Sequence, residues 1–99
     1  MIVSLPIFIE GRILRLSAER IYFSKTTERF RIIGHDRSVL VEGNLPELKT
    51  RKRKAEEVTW KIVSGEIRNQ ELYKKVLDAL EMKSRAGGFD EFPSIDEFS

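Results

Sequence analysis

The first apolar segments of the chain predict a β-hairpin. Residues 7–9 and 13–16 are mostly apolar and flank Glu10 and Gly11. Glycine readily adopts the positive φ of a tight turn, so this spacing is typical of two antiparallel strands. Pro6 has no backbone N–H to donate to a sheet, which places the first strand at an edge.

The second strand should contain a bend. Its apolar residues alternate with polar ones as far as Ala18, and the apolar positions then resume out of phase at Ile21 and Phe23. Side chains of a strand alternate between the two faces, so keeping both groups in one core requires an extra residue. We therefore predict a β-bulge or a sharp bend near Glu19 and Arg20.

Three further strands are expected downstream. Phe30 and Ile32 alternate with arginines, residues 38–42 resume an extended pattern after the turn residues 34–37, and residues 58–63 form a last strand. The polar residues 25–28 and the basic residues that follow Pro46 are expected to be connections. The pattern predicts an antiparallel sheet of about five strands.

The period changes at Asn69, where a helix is predicted. Asn69 is a favourable N-cap, and Gly87 and Gly88 are typical of residues that follow a helix. One face of the helix is apolar and must be buried against the sheet. Its apolar residues are Leu72, Tyr73, Val76, Leu77 and Leu80.

The fold class predicted from these elements is α+β. We expect a curved antiparallel sheet or partly open barrel of about five strands, with one C-terminal α-helix packed on it. The residues expected to be buried together are Leu14, Leu16, Phe30, Trp60, Leu77 and Leu80.

The length of 99 residues suits a single domain, which we place at residues 1–88. Residues 89–99 hold four acids and no cation, so they should form an acidic, flexible tail. The formal net charge of +2 therefore divides into a basic body and an acidic tail. Such a tail could order on a partner, pack on its own domain or fray.

Composition excludes several classes of site. The chain has no cysteine, which rules out disulfides, thiolate zinc sites and cysteine nucleophiles. The apolar start ends at Glu10 and has no basic residues before it, so it is too short to cross a bilayer and does not resemble a signal peptide. We expect a cytoplasmic protein without membrane contact.

Catalytic and metal sites find little support. His35 lies beside Asp36, an arrangement that can hold a general base, but both residue types are also common in turns. Glu56 and Glu57 are adjacent, so in a strand they would point to opposite faces. The glycines are isolated and form no phosphate-binding loop. The expected protein is not an enzyme and has no cofactor, metal or evident small-molecule substrate.

The strongest candidate site is a basic segment expected to form a loop over residues 49–54. Clustered cations bind polyanions because each neutralised phosphate releases counterions, although a run of like charge can also be a solvated loop. Three cations on predicted strands, Arg29, Arg31 and Lys61, could extend the surface, and Tyr22 is a candidate exposed aromatic. The proposed polyanion-binding residues are Lys49, Arg51, Lys52, Arg53 and Lys54.

The function predicted from the sequence is a small non-catalytic binding module, with nucleic acid or an acidic protein as its partner. In this interpretation residues 49–54 contact nucleic acid or another polyanion. The alternative is a protein–protein interaction or assembly module that uses an exposed strand edge or the acidic tail. The sequence leaves the oligomeric state open.

Overall fold

In the described part of the chain, five antiparallel strands form a single sheet in the order in which they occur in the sequence. The computed structural model describes residues 2–50 and 57–89. The strands are β1 (Ile2–Ile9), β2 (Arg12–Phe23), β3 (Glu28–Ile33), β4 (Ser38–Gly43) and β5 (Trp60–Ser64). The predicted α+β fold is confirmed, and the sheet is open, with β1 and β5 at its edges.

The predicted C-terminal helix, α2 (Gln70–Arg85), packs across one face of the sheet. The Asn69 side chain caps it by accepting a hydrogen bond of 3.1 Å from the backbone N–H of Leu72. At the other end Gly87 has a φ of 79°, and the Gly88 N–H donates to the Lys83 carbonyl at 2.8 Å. The positive φ of this turn requires glycine. Phe89, the residue that follows the turn, is buried in the core.

A short helix, α1 (Leu45–Thr50), follows β4 where we expected only a connection. Leu45 and Leu48 are buried, so one side of α1 is anchored in the protein. The Asn44 carbonyl accepts hydrogen bonds from the N–H groups of Glu47 and Leu48, at 3.1 and 3.3 Å. Lys49 therefore lies on a helix, which corrects its assignment to a loop.

The core lies between α2 and the face of the sheet that α2 covers. Of the six residues predicted to be buried together, Phe30 and Leu80 are fully buried. The other four are partly buried and pack against the core. These are Leu14, Leu16, Trp60 and Leu77.

The predicted bulge in β2 is confirmed. The pairing of β2 with β3 shifts register between Arg20 and Tyr22. Its expected consequence is wrong, because Ile21 and Phe23 are both exposed. After the shift Phe23 pairs with Glu28 at the end of the two strands, beside a pocket.

Phe89, which we assigned to the tail, is 4% exposed and lies in the core. Its ring centroid is 4.7 Å from that of Phe30. The rest of the predicted tail, residues 90–99, lies outside the described residues, so its flexibility stays a prediction. Within the described ranges, no helix is long and apolar enough to cross a membrane.

Candidate functional site

A pocket of about 520 Å³ opens at the end of the sheet where β2 turns into β3. Residues from β2, the turn, β3, α1 and α2 line it, and Leu45 and Pro46 of α1 supply part of its apolar wall. We call it the basic pocket, because three of its lining side chains are cations. Its polar and aromatic lining includes Arg20, Phe23, Lys25, Glu28, Lys49 and Ser84.

The β2–β3 turn, which carries Lys25, is held by local hydrogen bonds. The Ser24 backbone N–H donates to the Thr27 carbonyl at 2.8 Å. The Ser24 hydroxyl oxygen accepts from the N–H groups of Thr26 and Thr27, at 3.3 and 3.1 Å. Serine is favoured in turns for this kind of side chain to backbone bonding. These hydrogen bonds hold the backbone of the turn, and with it the backbone of Lys25, beside the pocket.

Lys49 reaches the same pocket from α1. Its neighbour Leu48 is buried, while Lys49 itself is exposed in the last turn of the helix. The Asn44 side chain, just before α1, accepts a 2.8 Å hydrogen bond from the backbone N–H of Thr59. This bond ties the start of α1 to the residues that lead into β5.

Glu28 is a buried carboxylate in the wall of the pocket, with a side chain only 1% exposed. The Ser84 hydroxyl donates to both of its oxygens, at 2.9 and 3.1 Å. Burial raises the pKa of the Glu28 carboxyl, and the Ser84 hydrogen bond and the charges of Arg20 and Lys49 only partly oppose that rise. The pocket thus contains a carboxyl that is harder to ionise than an exposed one.

Glu28 and Phe23 are among the residues that orient Arg20. Its Nη1 atom lies 3.6 Å from Oε1 of Glu28, and its guanidinium carbon lies 4.3 Å from the centroid of the Phe23 ring. A guanidinium over an aromatic ring is a favourable cation–π contact. Glu28 and Phe23 together hold Arg20 against the pocket.

The raised pKa of Glu28 predicts an unusual pH dependence. The folded state holds this proton more tightly than the unfolded chain, so its stabilising contribution is present below the ordinary Glu pKa of about 4.3. That contribution is lost as the pH rises through the raised pKa of Glu28 in the folded state. Urea unfolding of the wild type and Glu28→Gln should therefore show the wild type losing stability relative to the variant as the pH rises.

Glu42→Gln is a control at a carboxyl whose pKa is shifted in the opposite direction. A hydrogen bond from Arg29 lowers the pKa of the Glu42 carboxyl, and the charge of Lys61 lowers it further. Its contribution is present above the ordinary Glu pKa and is lost as the pH falls through the lowered value. Parallel stability curves for the wild type and Glu28→Gln between about pH 4 and 8, a range that spans the ordinary Glu pKa, would contradict the account of Glu28.

The cations predicted on strands lie on the face of the sheet away from α2, as expected. Arg29 donates to Glu42 at 2.8 Å, and Lys61 lies 3.4 Å from the same carboxylate. Arg31 donates to Glu19 at 3.1 Å. Exposed Tyr22 lies beside Arg29, whose guanidinium carbon is 5.0 Å from the ring centroid. Since acids neutralise much of this outer face, it is a weaker polyanion surface than its cations alone suggest.

Of the predicted polyanion-binding residues, the structure describes Lys49. Arg51, Lys52, Arg53 and Lys54 lie outside the described residues, between α1 and Thr59. His35 is exposed in the β3–β4 turn. Among residues 2–50 and 57–89, there is no group of three His, Cys, Asp or Glu side chains placed to hold a metal ion.

Sequence reasoning missed the other members of the basic pocket. Glu28 shares the strand phase of Phe30 and Ile32, which was a signal that it faces the core. Arg20 and Lys25 gave no comparable signal, because only the pairing of β2 with β3 and the position of α1 place them beside Lys49.

Comparisons of the chain with protein-family models, curated proteins and solved structures found no match.

Proposed function

We propose that the protein is a non-catalytic binding module that contacts nucleic acid or another polyanion through its basic pocket and the basic segment that follows. The observation that carries this proposal is that Lys49 shares one pocket with Arg20 and Lys25. Elements distant in sequence thus bring two further cations to the first of the predicted polyanion-binding residues.

The remaining cations of the segment follow α1 directly in the chain. Residues 51–54 include no acid, and four residues span at most about 14 Å from the end of α1. The combined set is Arg20, Lys25, Lys49, Arg51, Lys52, Arg53 and Lys54. Such a concentration of cations attracts a polyanion by its field and by release of the counterions that the polyanion carries.

The chemistry of the pocket favours binding over catalysis. Glu28 and Ser84 form the one hydroxyl–carboxylate pair described in the pocket, and both are buried. A nucleophile or a general base must come within hydrogen-bonding distance of a substrate atom. Their arrangement instead fixes the C-terminal end of α2 to β3 and orients Arg20.

The proposal predicts salt-dependent binding that depends on the basic segment. If about four cations contact phosphates of a fluorescein-labelled 20-nucleotide single strand, log affinity should fall with log salt at a slope of about −2.8. Arg51→Ala with Arg53→Ala should reduce the slope to about −1.4. Fluorescence anisotropy over a series of salt concentrations measures both.

Arg12→Ala with Arg37→Ala is the matched control. It removes the same charge from exposed residues at the β1–β2 and β3–β4 turns, at the opposite end of the sheet from the basic pocket. It should leave the slope nearly unchanged. An equal reduction of the slope in both double variants would indicate attraction by net charge alone. Binding whose affinity does not depend on salt would exclude the proposal.

A protein–protein assembly module is the second candidate, favoured by the exposed residues of β1 and β2. Phe8 is 66% exposed beside Ile13, its exposed partner on β2, and β1 is an eight-residue edge strand. Exposed apolar side chains on an edge strand are typical sites of strand-to-strand association. A dimer in size-exclusion chromatography with light scattering that Phe8→Ser abolishes would favour this candidate.

A further inference from the structure

We propose that the polyanion is a single-stranded nucleic acid, and that the basic pocket takes one unpaired base against Phe23 while Lys25 and Lys49 contact the flanking phosphates. This inference rests on the proposed function and names the class of its ligand. The base would be held by stacking and the backbone by charge.

The first support is the position of Phe23. Phe23 is 59% exposed although it lines the pocket, and the Arg20 guanidinium lies over one face of its ring, with the guanidinium carbon 4.3 Å from the ring centroid. Unpaired bases are commonly stacked on aromatic rings or on arginine guanidinium planes, and here the two lie together.

The second support is the size and lining of the pocket. Its volume of about 520 Å³ falls in the usual range of sites for small organic groups, and Leu45 and Pro46 give it an apolar wall. Lys25 and Lys49 approach it from two different elements, the β2–β3 turn and α1. An apolar pocket with cations beside it matches a nucleotide, which is a flat base attached to a charged backbone.

The position of Glu28 determines which sequence preference we expect. At 1% exposure its carboxylate is too enclosed to accept hydrogen bonds from the edge of a base. It holds Arg20 in place instead, through the 3.6 Å ion pair. Stacking without hydrogen bonds to base edges discriminates weakly among bases. We therefore expect similar affinities for oligonucleotides of different sequence.

A duplex cannot use the pocket in the same way. Its bases are paired and stacked on each other, so a protein can reach them in this manner only after one leaves the stack, which costs free energy. Phosphate contacts remain available in a duplex. A single strand should consequently gain a contribution from Phe23 that a duplex lacks.

The test compares Phe23 variants in anisotropy titrations with a labelled dT12 strand and with a 12-base-pair duplex. Phe23→Ala should weaken dT12 binding by roughly 5- to 150-fold, the range measured for loss of one base–aromatic stack. Duplex binding should weaken much less, because a duplex has no base stacked on Phe23 and loses only the support that the ring gives to Arg20. The salt slope for dT12 should stay nearly the same, because no charge is removed. Phe23→Trp should retain the affinity of the wild type.

Tyr22→Ala is the matched control, since Tyr22 is the neighbouring exposed aromatic residue and lies on the outer face with Arg29. It should not change dT12 affinity. Thermal unfolding of each variant shows whether any loss of binding reflects loss of fold, and Phe23→Trp tests stacking even where the alanine variant is destabilised.

The outcomes separate the two levels of the proposal. Salt-dependent binding of dT12 and the duplex with equal affinity, or dT12 binding unaffected by Phe23→Ala, would overturn the stacked base and leave polyanion binding standing. Absence of salt-dependent binding to both nucleic acids would overturn both proposals. A much larger loss of affinity for dT12 than for the duplex in Phe23→Ala, with recovery in Phe23→Trp, would support the inference.

Discussion

Phe89→Ala should lower the free energy of unfolding by about 3–5 kcal/mol, the usual cost of removing a buried phenylalanine side chain. The reason is that Phe89 is 4% exposed and packs against Phe30 at a centroid distance of 4.7 Å. The turn at Gly87 and Gly88 returns the chain to this position. Urea denaturation monitored by circular dichroism measures the effect.

Phe8→Ala is the matched control, with the same substitution at a side chain that is 66% exposed. Its cross-strand contact with Ile13 should be worth only about 0.2–1 kcal/mol. Equal small costs for the two variants would show that the packed domain ends before Phe89, where the sequence alone placed its boundary.

Leu80→Ala should cost about 2–5 kcal/mol, because Leu80 is fully buried where α2 meets the sheet. Met82→Ala is the matched control, because Met82 lies two residues further along the same helix and is 72% exposed. It should change stability by no more than about 0.5 kcal/mol. If both variants cost equally little in urea denaturation, α2 does not dock on the sheet through its apolar face.

Periodicity was sufficient to predict the sheet and α2. Alternation in β3 placed Phe30 and Ile32 on the face that α2 covers, and the alternating Arg29 and Arg31 on the other face. The change of phase in β2 predicted a bulge, which the register shift confirms. These features depend on local sequence, since the period of side-chain direction is fixed by backbone geometry.

Two errors came from assigning residue types to their usual environment. Glu28 was assigned to a polar connection because charged side chains are rarely buried, although it shares the phase of Phe30. The helix α1 was missed because glycine and proline beside Asn44 suggested a turn. The sequence did contain a signal for α1, namely Asn44, a residue type favoured at N-caps, Glu47 in the first turn, and the apolar Leu45 and Leu48 three residues apart. In the structure the Asn44 side chain accepts its hydrogen bond from the backbone N–H of Thr59.

The basic pocket could not be predicted from local pattern. Its lining residues come from three stretches of chain, residues 20–28, residues 45–49 and Ser84, and only the bulge in β2, the docking of α1 and the end of α2 bring Arg20, Lys49 and Ser84 together. The burial of Phe89 could not be predicted from local pattern either, because the turn after α2 could have directed this side chain either inward or outward. Long-range packing of this kind leaves no period in the sequence.

The most direct test of polyanion binding at the basic pocket is an NMR titration of the ¹⁵N-labelled protein with dT12, following backbone amide signals at low and high salt. If the basic pocket binds dT12, the largest changes in chemical shift should occur in residues 24–27 and in Glu47, Leu48 and Lys49, and high salt should diminish them. Changes centred on Arg29 and Lys61 of the outer face, with the pocket residues unaffected, would contradict it.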